Sequence, residues 1–136
     1  LKGWLIPALI ALVMWGFWGF LPKLATRTID PKSAMICQAL GNVLFAVIVL
    51  AMVGFHPQFH ATGALWAILT GVFGMIGSFF FLIAVSRGRI SVVAAVTALY
   101  PLLSILLAAT FLHEPVTLKQ EIGFVFALTS IVLLSI

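Results

Sequence analysis

Along this chain, long apolar runs alternate with short polar breaks, and the pattern recurs five times. The runs cover about residues 3–21, 32–53, 62–85, 90–112 and 117–136. Each is near the ~20 residues that a helix rising 1.5 Å per residue needs to cross a hydrocarbon core of about 30 Å. The first is too long for a cleaved signal peptide and is followed by no small-residue cleavage site.

Local signals sharpen the boundaries. Asp30-Pro31 predicts a helix start, with the aspartate as N-cap and the proline at the first helical position. Thr117-Leu118-Lys119-Gln120 is a capping-box pattern opening the last run. The fourth run is interrupted near its middle by Tyr100-Pro101 and closed by Glu114-Pro115. A proline inside a helix removes one donor and clashes with the preceding turn, which predicts a bend there.

Composition turns these runs into a class. Hydrophobic residues make up 64% of the chain and charged residues 7%, with a mean hydropathy of +1.31. A water-soluble domain of 136 residues cannot bury that much apolar surface. The predicted fold is all-α, an integral membrane bundle of five transmembrane helices. The one cysteine, Cys37, excludes an internal disulfide. The net charge of +4 comes from basic residues scattered singly between apolar runs, a pattern of membrane orientation and not of nucleic-acid binding.

Lys23, Arg27, Lys32, Arg87 and Arg89 fall on one side of the predicted bundle, Lys2 and Lys119 on the other. The positive-inside rule then favours an outside N-terminus and an inside C-terminus, in the cell (inner) membrane of a prokaryote. An odd number of spans puts the termini on opposite faces. A second half inserted the other way round would complete an inverted repeat of the kind secondary transporters use.

Polar residues at membrane depth are the candidate site. Gln38 and Asn42 lie one turn apart on the second run and need partners, either another helix or a polar cavity. Thr97, Tyr100 and Ser104 flank the Pro101 break, where the backbone freed by the proline must be satisfied by protein or by a wet cavity. Trp15, Phe17 and Trp18 are either interfacial anchors or an aromatic wall beside a solute path. Gly71, Gly74 and Gly77 form a small-residue track suited to close helix packing, and Ser78 follows it. His56 and His60 are separated by Pro57 and lack a third ligand, so no metal site is expected. No nucleophile-base spacing is present and nothing asks for a cofactor, so no catalytic residue is assigned.

In order and spacing, several of these pieces resemble the EamA-type domain of the drug/metabolite transporter superfamily. They are Trp15-Gly16 with Lys23, Ala84 with Arg87-Gly88, Leu99-Tyr100-Pro101-Leu102, the stretch Phe111-Leu112-His113-Glu114-Pro115-Val116-Thr117, and finally Gln120 and Gly123. The resemblance covers essentially the whole chain. Members of that family typically carry two five-helix repeats, and many export small metabolites. The resemblance therefore implies a half-transporter working as a dimer, or one half of a longer protein, and the charge bias is that of a second repeat. The small multidrug carriers of the same superfamily place a carboxylate eight residues before a lysine; here that position, counted back from Lys23, is Trp15. No carboxylate lies at mid-membrane depth, which argues against proton antiport by that mechanism.

The expected function is transport of a small organic metabolite, amino-acid-like or aromatic and in the export direction, by alternating access. Trp15, Trp18, Gln38, Asn42, Ser78, Thr97, Tyr100 and Pro101 are the expected pathway. The partners are the bilayer, the solute and either a second copy or an oppositely oriented half, with no nucleic acid. The alternative is a non-transporting membrane subunit that uses its small-residue faces for assembly.

Overall fold

The computed structural model describes residues 3–135; Lys2, one of the two opposing charges, lies outside them. Helices α1 (Leu5–Ala25), α2 (Pro31–Met52) and α3 (Ala61–Arg87) are followed by α4 (Ile90–Thr97), α5 (Tyr100–Phe111) and α6 (Leu118–Ser135). The described residues contain no strand. Among the described residues, four segments are long and apolar enough to cross a membrane: α1, α2, α3 and the stretch Ile90–Phe111 that holds α4 and α5. The last apolar run of the sequence forms α6.

The chain divides into two compact units, one ending at Arg87 and the other beginning at Gly88. In the first, α3 packs against both α1 and α2. Its core gathers at one end, where the C-terminal turns of α1 and α3 meet the N-terminal turn of α2. Pro22, Ala34, Ser78, Phe81, Leu82 and Val85 are buried there. Away from that end large apolar side chains are exposed, Met52 and Phe73 among them, as lipid-facing helices require. In the second unit α4 packs on α6.

Local chemistry sets most of the boundaries. Asp30 caps α2 as its sequence implies, accepting hydrogen bonds from the amides of Lys32 (2.9 Å) and Ser33 (3.2 Å). At the other end of α2, Gly54 takes φ +63°, where an L side chain is strained. Its amide donates to Ala51 O and that of Phe55 to Leu50 O, both at 3.0 Å, so two orphan carbonyls are satisfied. The capping box of α6 forms reciprocally: Thr117 N donates to Gln120 Oε1 at 2.8 Å and Gln120 N to Thr117 Oγ1 at 3.4 Å.

Two boundaries differ from the sequence reading. The first helix continues past Leu21 to Ala25 and takes in Pro22 and Lys23, which the sequence placed in a connector. Pro22 is buried, and its carbonyl still receives Thr26 N at 3.0 Å and Thr26 Oγ1 at 2.8 Å, so packing and a side-chain bond carry the last turn past the proline. The fourth run is two helices, not one bent helix. The break falls at Ala98–Leu99, one turn ahead of Pro101, because the proline has no N–H for Thr97 O and its ring crowds that carbonyl. The bonding tightens there, with Leu99 N on Val96 O and Leu102 N on Leu99 O.

Candidate functional site

Within the α1–α3 unit, three contacts tie polar and aromatic side chains across helices. Trp18 of α1 stacks on Phe81 of α3 with ring centroids 5.2 Å apart and planes 29° apart. The Asn42 amide of α2 donates to Met75 Sδ of α3 at 3.2 Å. The Lys23 ammonium at the end of α1 donates to Val85 O of α3 at 2.6 Å. Val85 sits in the last turn of α3, where carbonyls have no intrahelical donor, and it is fully buried, so water cannot serve it. A cation at that end also suits the helix dipole.

The pathway candidates divide by what their polar atoms touch. Trp15 (62% exposed) and Asn42 are open on the surface of the unit, and Gln38 is half-buried one turn from Asn42. Ser78 is different: it is buried, and its hydroxyl donates to Gly74 O of its own helix at 2.8 Å. In the second unit, the Thr97 hydroxyl is likewise turned onto its own helix, at 2.9 Å from Val93 O and 3.2 Å from Ala94 O. Tyr100, at the start of α5, and Pro101 are both exposed. Each unit thus offers an exposed ring and a nearby helix irregularity or amide, whereas the hydroxyls of Ser78 and Thr97 donate to backbone carbonyls of their own helices.

Among the described residues, the glycine track of α3 is open at its surface. A Cβ built at Gly71, Gly74 or Gly77 would meet nothing within 4 Å. Asp30, outside the apolar spans, is held below the usual carboxylate range first by the Ser33 hydroxyl and then by the Ser33 amide. Among the described residues, no three His, Cys, Asp or Glu side chains cluster as a metal centre would need.

Sequence reasoning missed Met75 and Phe81 as partners, and it gave Lys23 a role in orientation only. A signal for Lys23 existed. Three alternating helices return the ends of α1 and α3 to one face, where a basic residue in the last turn of one can serve the other's carbonyls.

Apolar helices of membrane-spanning length, with sparse polar groups and a proline-broken helix, define a polytopic integral membrane protein. The whole described chain matches one family model: residues 2–136 correspond to the EamA-like transporter family, and the chain belongs to it. It is 28% identical over 134 residues to an uncharacterized protein of Methanocaldococcus jannaschii, covering 97% of this chain and 96% of that protein. It is 29% identical over 140 residues to an uncharacterized transporter of Archaeoglobus fulgidus, covering 99% of this chain but 48% of the relative. A shorter match, 42% identical over 60 residues, links it to the uncharacterized transporter YvbV of Bacillus subtilis, with 44% of this chain and 20% of that protein covered. No solved structure matches.

Proposed function

We propose that this chain is half of a transporter that moves a small organic metabolite across the membrane by alternating access. The observation carrying this reading is the pair of coverages: the chain spans about half of the Archaeoglobus transporter and nearly all of the Methanocaldococcus protein. The same unit therefore occurs alongside as much sequence again, and also as nearly a whole chain. The second half is a second copy or an oppositely oriented partner, and the five apolar runs all cross the bilayer. The charged end with Lys23, Arg27, Lys32, Arg87 and Arg89 faces the cytoplasm of a prokaryotic cell, with the N-terminus outside.

The solute would meet Trp15, Trp18, Gln38 and Asn42 in the first unit and Tyr100 beside Pro101 in the second. The Ser78 and Thr97 hydroxyls donate to carbonyls of their own helices, α3 and α4. Rings with few amides suit an amino-acid-like or aromatic solute, moved outward, better than a multiply charged one, which would need paired charges at depth.

The test is flux of radiolabelled aromatic and small neutral amino acids in membrane vesicles of both orientations, compared with vesicles lacking the protein. Asn42→Ala and Tyr100→Ala should each reduce flux at unchanged expression. Wild-type flux in both variants would remove these residues from the pathway. Absence of flux for every solute would turn the reading toward an assembly subunit.

A further inference from the structure

At the charged end of the α1–α3 unit, a cleft of about 380 Å³ runs between the start of α2 and the last turns of α3. Its lining changes character along the helix axis. Arg87 and Ser86 stand at the end of α3, Ile83 one turn inward and Phe79 a further turn in, on one stripe of the helix. From Arg87 to Phe79 is about 12 Å of helix rise. Across the cleft lie Pro31 and Lys32 in the first turn of α2. The cleft is therefore cationic at the membrane surface and apolar toward the midplane.

We propose that this cleft seats one anionic phospholipid, its phosphodiester against Lys32 and Arg87 and an acyl chain along Ile83 and Phe79. The proposal rests on the chain spanning a bilayer and is independent of what, if anything, it transports.

Charge selects the headgroup. Lys32 and Arg87 against the single carboxylate of the cleft, Asp30, leave one positive charge, which a singly charged phosphodiester balances. Asp30 would attract the ammonium of a zwitterionic headgroup, but its oxygens already accept from Lys32 N, Ser33 N and the Ser33 hydroxyl. A carboxylate offers about four lone-pair sites, so little acceptor capacity remains. The Ser86 hydroxyl is turned onto Ile83 O at 2.7 Å, which leaves the two cations as the groups that hold the phosphate. Basic pockets between membrane helices on the cytoplasmic side are suited to anionic headgroups for this electrostatic reason.

The experiment is native mass spectrometry of the full chain released from delipidated micelles, titrated separately with phosphatidylglycerol, phosphatidylethanolamine and inorganic phosphate. One phosphatidylglycerol per chain should be retained at concentrations where phosphatidylethanolamine is not. Lys32→Gln and Arg87→Gln should each weaken retention roughly fivefold, the size expected for one cation near an anionic lipid surface. Arg27→Gln, which removes an equal charge from outside the cleft, should leave it unchanged. Circular dichroism of each variant confirms folding, and the comparison of the two lipids on the wild-type chain stands without any variant. Equal retention of both lipids overturns the proposal. So does equal weakening by Arg27→Gln, which would mean diffuse charge attraction, or full displacement by inorganic phosphate, which would mean an anion site without a lipid.

Discussion

Replacing Lys23 by methionine keeps most of the aliphatic stem and removes the ammonium that serves Val85 O at 2.6 Å. A hydrogen bond from a charged donor contributes roughly 1.5–3 kcal/mol, and leaving a buried acceptor unserved costs about 1–3 kcal/mol. Val85 is fully buried, so water cannot replace the lost donor, while Lys23 itself is only half-buried, which places the estimate below the upper limit. The expected loss is about 2 kcal/mol, on the order of a 30-fold shift toward the unfolded state. Loss of helicity in mixed micelles of increasing sodium dodecyl sulfate fraction measures it. Arg27→Met is the control, since Arg27 is exposed and lies beyond the end of α1. Amide exchange in the last turn of α3 should rise in the Lys23 variant alone. If Lys23→Met is within about 0.5 kcal/mol of the wild type, the usual scatter of surface changes, the ammonium does not fasten α1 to α3 and the reasoning fails.

Three further outcomes follow from single residues. His113 holds φ +53° just after α5, a region costing non-glycine residues roughly 1–2 kcal/mol; His113→Gly should stabilise the fold by up to about 1 kcal/mol after the added chain entropy, read as a raised unfolding midpoint. Because the pKa of Asp30 is depressed in the folded chain, its contribution to the start of α2 is fully present above its ordinary value of 3.8 and is lost as pH falls through the lower folded value. Amide protection in the first turn of α2 should therefore drop in acid, and the drop should disappear in Asp30→Asn. With Cys37 replaced by serine, cysteines introduced at Asn42 and Thr97 should react with a membrane-impermeant thiol reagent if water reaches the proposed path; protection of both would leave a dry packing subunit.

Much of the fold was legible because its determinants are local. Asp30-Pro31, the Thr117–Gln120 box and Pro101 act within a turn or two of their own positions, so the helices they start or interrupt could be placed from sequence. Run length and mean hydropathy likewise set the membrane class, since hydrocarbon leaves a spanning chain few alternatives to helix.

Which side of each helix faces which neighbour was decided only by tertiary structure. In a water-soluble protein the apolar stripe marks the inward face; here the lipid-facing and helix-facing sides are both apolar, and the pattern carries no rotation. That is why Ser78 and Asn42, both polar at membrane depth, ended differently: one buried with its hydroxyl on Gly74 O, the other reaching across to Met75. Lys23 shows the same division. Its charge could be read as orientation from the sequence, but its contact with Val85 O exists only because α1 and α3 end together, 62 residues apart along the chain.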